Sequence, residues 1–343
     1  MPNALPPSTG VVNLFATYKP SGRVSPLAFA LWLIGAAVVF GLAFVYQIGL
    51  NWITWIYINV LLTAGFGLVC AAIANFIVDS GKVRNPFLAL VFAFTIAIAG
   101  LVGKFFFQFQ HARGQFREML PAFLVEQGVP RDQINDIAID EIVDQYTFAR
   151  HIQDRIDTGW AIGKMGRNGA PVSGIFVYFV WLAEAGIVCY LACGGPYKAA
   201  FKPFSEKLGQ WASETQVVMT LPITHESMVD EIKAIDSVDG LLRIPIPKSD
   251  EAAEFAVYRV NSIPGHEMED AYLSVDLMHF ETNKEGNQEA KFNSLVENAI
   301  LTSTQRATLA ENAELLAEAI KDFREALEDE TASESVDDER DDV

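Results

Sequence analysis

Between Val24 and Val78 the chain carries no Asp, Glu, Lys or Arg, a run of 55 residues. One spanning helix needs only about 20 apolar residues. The run therefore predicts two spans with a turn between them, and Gly49-Leu50-Asn51 supplies the turn residues. Span one is read as Leu27–Tyr46, with Pro26 suited to the first helical turn. Span two is read as Ile53–Val78. Trp52, Trp55 and Tyr57 fall beside the turn, where amphipathic rings favour the headgroup level. A polar connector from Asp79 to Pro86 leads to span three, about Pro86–Gly103. Span four is about Val172–Cys193, closed by Gly194-Gly195-Pro196. The first run is too long for a secretory signal and lacks a small-residue cleavage pattern.

Charge divides the chain. Residues 1–196 hold 12 Lys+Arg against 11 Asp+Glu, and residues 197–343 hold 13 against 32. The net −18 of the whole chain thus resides in its second half. An acidic surface disfavours nucleic acid and anionic lipid as electrostatic partners of that half. The three cysteines, Cys70, Cys189 and Cys193, fall within or at the end of the spans. They read as small packing residues rather than as a disulfide framework.

The expected organisation is an all-α four-helix transmembrane domain plus a soluble cytoplasmic α+β domain. Its parts are an N-terminal tail (1–25), three spans (26–103), an extracytoplasmic helical connector (104–171), a fourth span (172–196), the α+β domain (197–327) and an acidic, disordered tail (328–343). Short-loop Lys and Arg set orientation. Lys19, Arg23, Lys82, Arg84, Lys198, Lys202 and Lys207 place both termini inside a plasma (inner) membrane. The connector holds eight Lys+Arg and opposes this, but loops longer than about 60 residues weigh little.

In the connector, span three is expected to run on past Gly103 as far as Gly114, with Pro121 and Gln127–Pro130 breaking the pattern. Asp140–Asp157 has helical spacing at Ile142, Tyr146, Ala149 and Ile156, and packing against the extended span is its expected role. Gly163–Gly169 lacks the strand before it and the Lys-Ser/Thr ending of a phosphate loop, and reads as a hinge.

Glu184, in the middle of span four, is the most informative residue. An intramembrane carboxyl costs a few kcal/mol on insertion scales, so it should face the bundle and find a partner. Thr63 and Thr95 are the hydroxyls expected at similar depth. A protonated Glu184 hydrogen-bonded to either would lock helices together. A proton or cation relay is the functional alternative, although four spans show no broken helix pair and no inverted repeat.

After span four, Pro203-Phe204-Ser205-Glu206-Lys207-Leu208-Gly209-Gln210-Trp211 has the spacing of a small zinc knuckle, with Ser205 and Leu208 at the cysteine positions. From Gly159 to Trp211 the chain resembles an uncharacterised group of bacterial multispan membrane proteins. In that group a mid-span Glu precedes a Pro-Phe-Cys-x-x-Cys-x-x-Trp segment. Glu184, Pro203, Phe204 and Trp211 match and the two cysteines do not, so the resemblance implies an architecture without zinc. It implies no activity.

The acidic half reads as strands at Gln216–Leu221, Leu241–Ile246, Phe255–Val260, Tyr272–Phe280 and Lys291–Leu301. A helix is expected over His225–Ser237, capped by Thr224, and a last helix from Thr304 to Leu327. An α+β or split-βαβ arrangement follows. The last helix spaces Leu309, Ala313, Leu316, Ile320, Phe323 and Leu327 by fours and threes, which suits either a coiled-coil seam or packing on its own sheet. No nucleophile elbow, Walker loop, dinucleotide fingerprint, kinase set or zincin pair occurs, and no cofactor is expected. The function expected from sequence is a non-enzymatic membrane anchor, adaptor or sensor. Its partners are the lipid bilayer and either a second copy or a cytoplasmic protein, with no nucleic acid. The alternative is a small proton- or ion-coupled transporter centred on Glu184.

Overall fold

The computed structural model describes residues 16–52, 56–130, 134–162, 170–223, 226–235, 237–243, 254–266, 271–283 and 287–338. They form two units, Pro20–Phe201 and a second one built from Lys202 onward together with the N-terminal segment up to Lys19.

In the first unit four helices are long and apolar enough to cross a membrane: α1 (Pro26–Trp52), α2 (Ile56–Ser80), α3 (Pro86–Glu126) and the helix Ile175–Ala199. Only 17–44% of each apolar window is buried inside the protein. Leu33, Ile34, Val45, Leu61, Phe76, Phe87 and Leu182 point outward. Such a surface is stable against lipid and not against water. The chain is a multipass membrane protein. Lipid tails give helices no hydrophobic reason to associate, so close packing of small residues holds them. A Cβ on Gly103 would lie 2.7 Å from the Phe40 carbonyl oxygen, so α1 and α3 meet backbone to backbone there.

Several boundaries differ from those read in the sequence. α1 continues through Gly49-Leu50-Asn51 to Trp52, so the expected turn is helical. Residues 53–55 lie outside the described residues. The connector from Gly81 to Asn85 follows expectation: Asn85 Oδ1 caps α3 by accepting from Leu88 N at 3.1 Å, with Pro86 at the first position. α3 passes Gly114 and Pro121 and spans 41 residues, because a proline late in a helix forfeits only one or two bonds. The fourth spanning helix likewise continues through Gly194, Gly195 and Pro196. Gly195 is where α2 approaches, since a Cβ there would meet Asn75 Nδ2 at 2.7 Å.

The helix expected over Asp140–Asp157 is two helices, α4 (Asp136–Asp144) and α5 (Phe148–Thr158). Asn135 caps α4, accepting from Ala138 N at 2.9 Å, and Thr147 caps α5, accepting from Arg150 N at 3.3 Å. A cap side chain inside a helical pattern competes for the backbone and divides it. Ile139 and Val143 of α4 bury against Leu120 of α3, and Arg117 pairs with Asp140 at 3.0 Å. Two short strands, β1 (Trp160–Ile162) and β2 (Ala170–Val172), then pair antiparallel. Gly163–Gly169, read as a hinge, lies outside the described residues. The spanning helix Ile175–Ala199 is α6.

The second unit begins with a hairpin, β3 (Phe204–Ser205) and β4 (Gln210–Trp211). A four-stranded antiparallel sheet follows, in chain order β5 (Glu214–Ile223), β6 (Glu254–Ser262), β7 (Ala271–Thr282) and β8 (Gln288–Leu301). This order is a meander and excludes the split-βαβ alternative. α7 (Glu226–Ala234), α8 (Val238–Leu241) and α9 (Ser303–Asp338) accompany it. In the described part of the strand expected over Leu241–Ile246, Leu241 ends α8 and Leu242 and Arg243 form a turn, because Ser237 Oγ accepts from Gly240 N at 3.1 Å and nucleates a turn of helix; 244–253 lie outside the described residues. Leu221, Tyr258, Leu273, Val275, Ile232 and Leu241 form the core on one sheet face. α9 extends to Asp338, into the stretch that composition reads as a disordered tail. Its Ala, Glu and Leu residues are strong helix formers and carry the helix onward.

Candidate functional site

Four side chains from four helices meet inside the bundle. Glu184 sits nine residues into α6, about 14 Å along its axis. Lys104 lies 18 residues into α3 and Tyr46 six before the end of α1. Thr63 lies seven residues into α2. Lys104 Nζ donates to Glu184 Oε2 at 2.5 Å, and the Tyr46 hydroxyl donates to Glu184 Oε1 at 2.7 Å. Tyr46 and Thr63 share a hydrogen bond of 2.8 Å, and Thr63 Oγ1 also lies 2.9 Å from the Asn59 carbonyl oxygen. Lys104 is buried, and its ammonium stands 4.6 Å from the Phe105 ring centroid.

This geometry resolves the expected cluster differently. Glu184 and Thr63 are joined, but through Tyr46. Thr95 is not part of the group. It lies nine residues, about 14 Å, from Lys104 along α3. There it accepts from Trp32 Nε1 at 2.8 Å and donates to the Val91 carbonyl at 2.8 Å. The expected partner of a protonated Glu184 was a hydroxyl, whereas the structure supplies an ammonium. Lys104 follows Gly103, where hydropathy ends and span three is expected to leave the bilayer, so its charge reads as belonging to the connector. The signal was available in the unbroken helical pattern beyond it.

The proton count constrains the chemistry. With Glu184 ionised and paired to Lys104, Tyr46 donates to the carboxylate. Thr63 then has one proton for two acceptors, Tyr46 Oη and the Asn59 carbonyl. The chain of hydrogen bonds ends on a helix carbonyl, which cannot pass a proton on. A relay needs a mobile acceptor at each end. The arrangement is a desolvated ion pair with both carboxylate oxygens engaged, and it ties α1, α2, α3 and α6 together.

A second polar group lies in the connector. His151 is 2% exposed, its Nδ1 is 3.1 Å from the Tyr146 hydroxyl, and its Nε2 has no partner among the described residues. Phe109 of α3 packs on Tyr146, Phe148 and His151 with centroids 5.7–6.1 Å apart. Gln108 oxygen accepts from Arg155 Nη2 at 2.9 Å and Nε at 3.1 Å, tying α3 to α5. Burial, reinforced by the Arg155 charge, holds the His151 imidazole below its ordinary pKa. Burial, with Asp154, raises the Tyr146 phenol.

The knuckle-like segment folds as the β3–β4 hairpin. Ser205 Oγ accepts from Leu208 N at 3.3 Å, Gly209 N donates to the Ser205 carbonyl at 2.8 Å, and Gly209 has φ +65°. A hydroxyl and an isobutyl group stand where thiolates would. Among the described residues no group of three or more His, Cys, Asp or Glu could hold a metal. Cys70, Cys189 and Cys193 are free thiols.

The 309–327 seam divides. Leu309 and Leu316 are buried in the core of their own domain and Ala313 packs beside them, so these three are not available to a partner. Sequence spacing could not make this distinction, since both uses require the same stripe. The side chains of Ile320, Phe323 and Leu327 lie outside the described ones. An open hollow of about 360 Å³, lined by Met228, Glu231, Ile232, Ile235, Gly240 and Arg243, lies beside α7 and α8.

No protein-family model, curated protein or solved structure matches the chain.

Proposed function

We propose that the chain is an integral membrane anchor or adaptor, with four helices that hold it in the plasma (inner) membrane and a cytoplasmic α+β domain that engages protein partners or a second copy. The observation that carries this reading is the Glu184 site. Its carboxylate is engaged on both oxygens by Lys104 and Tyr46, and its hydrogen-bond chain ends at a backbone carbonyl. A helix lock needs that closure, and an ion-coupled transporter would need it open. The proposed orientation places both termini inside. In its support, Thr17 bridges to Ala299 of β8, with Tyr18 N donating to the Asn298 carbonyl at 2.9 Å, so the N-terminal flank and the sheet share a side. Lys104, paired within the bundle, also leaves the connector's positive count, which weakens the argument against this orientation.

The test is cross-linking in the native membrane with an amine-reactive reagent, followed by mass determination of every product that holds the chain. The anchor reading expects a discrete adduct, to a second copy or to one partner in fixed ratio. A chain that remains monomeric under conditions that cross-link known complexes contradicts it.

A further inference from the structure

The helices cover one face of the four-stranded sheet, and the other face is unusually apolar. A one-sided antiparallel sheet ordinarily turns polar side chains to water. Here Phe255, Met278 and Phe292 are directly paired neighbours across β6, β7 and β8. Phe280 follows two residues along β7, and Val217 pairs with Arg259 on the same side. Val217, Phe280 and Phe292 are 56%, 49% and 49% exposed. The other end of this face is occupied. Tyr18 packs edge-on against Tyr272 with centroids 5.5 Å apart, and Tyr272, Ile263 and Ala212 bury together with Leu208 of the β3–β4 hairpin. The bare part begins where that cover stops.

Charges on the bare part are balanced. Arg259 pairs with Asp276 at 2.9 Å and its guanidinium lies 4.9 Å from the Phe292 centroid. The rest of this half is strongly acidic, with 32 Asp+Glu against 13 Lys+Arg over 197–343. A basic partner would be drawn to the acidic surface rather than to this neutral patch. A second copy is repelled everywhere except here, where opposite charges stand side by side and are self-complementary under a two-fold axis. Copies in one bilayer share an orientation, so that axis runs along the membrane normal.

Resting on the anchor reading, we infer that the open sheet face around Phe280, Phe292 and Arg259–Asp276 is the surface through which two copies of this chain associate, sheet against sheet. Six residues of β7 by three strand gaps is about 20 Å by 14 Å, roughly 300 Å² per copy. A stable soluble dimer uses about 800 Å² per partner. The contact is weak by itself and depends on confinement of both copies to one membrane, which raises their effective concentration.

The experiment is energy transfer between donor- and acceptor-labelled full-length chains in vesicles at dilute protein. The wild type should transfer above the level of randomly placed copies. Phe280→Ser with Phe292→Ser should fall to that level, with an unchanged thermal transition because both rings are half exposed. Arg259→Asp and Asp276→Arg should each lose transfer alone and regain it when the two variants are mixed, since two acids on one copy then face two bases on the other. Wild-type transfer that survives the double serine variant overturns this surface and leaves the anchor reading intact. Random-level transfer in the wild type, with a native-membrane cross-link to a different protein that the serine variant loses, assigns the face to that partner and overturns the proposal.

Discussion

Lys104 and Glu184 have opposite charges in a setting where neither is tolerated alone. Removing one partner of such a pair costs about 3–5 kcal/mol, whereas replacing both with apolar groups is often neutral. Lys104→Met should therefore lower the thermal midpoint of the detergent-solubilised protein sharply, and Glu184→Gln should also destabilise it by leaving the ammonium unpaired. Lys104→Met with Glu184→Met should recover most of the loss. A double variant as unstable as the worse single one would contradict a purely structural lock. Tyr258 offers a smaller test in the sheet core. Its hydroxyl is buried without a partner among the described residues, and burial raises its pKa. An unsatisfied buried hydroxyl costs about 1–3 kcal/mol. Tyr258→Phe should raise the thermal midpoint, and a lowered midpoint would mean the hydroxyl has a partner.

At the scale of elements, α5 is held to α3 by the Phe109 ring cluster and the Gln108–Arg155 bond. His151 makes this attachment sensitive to pH. Its folded pKa lies below the ordinary value of 6.5, so the unfolded connector binds the extra proton more readily. By linkage the attachment is at full strength above 6.5 and weakens as pH falls below it, down to the folded pKa. Amide exchange in α5 should quicken between pH 7 and pH 5 relative to α3, after correction for intrinsic rates. His151→Phe should remove that difference, and an unchanged difference would contradict the assignment.

The elements also show what sequence could and could not convey. Four spans were legible because apolar runs of about 20 residues, broken in span four only by Glu184, have few alternatives. β6, β7 and β8 were expected as strands, and Leu273, Val275 and Leu277, which alternate along β7, point into the core. The boundaries were less so. Gly49, Pro121 and Gly195 resemble stops, yet each lies inside a helix, because packing and lipid override local preference. Leu241, expected to begin a strand, ends α8 because the Ser237 cap outweighs strand propensity there. Glu184 stood out as an anomaly, but its partner on another helix could not be found by spacing.

For the whole molecule, the Thr17–Ala299 bridge supports the proposed orientation, in which the N-terminal flank and the sheet lie on one side. A Cys introduced at exposed Glu126 should react with an impermeant maleimide in intact cells, while tags at both termini should be reached only after lysis. Labelling of a terminal tag in intact cells would invert the orientation. The central claim is that the spanning helices hold and the sheet domain binds. Its most direct test is proton flux into vesicles containing the full-length protein, read with an enclosed pH-sensitive dye under an imposed gradient. The account predicts flux no greater than in protein-free vesicles. Flux above that level, lost in the stably folded Lys104→Met, Glu184→Met variant, would contradict it and establish the buried pair as a pathway.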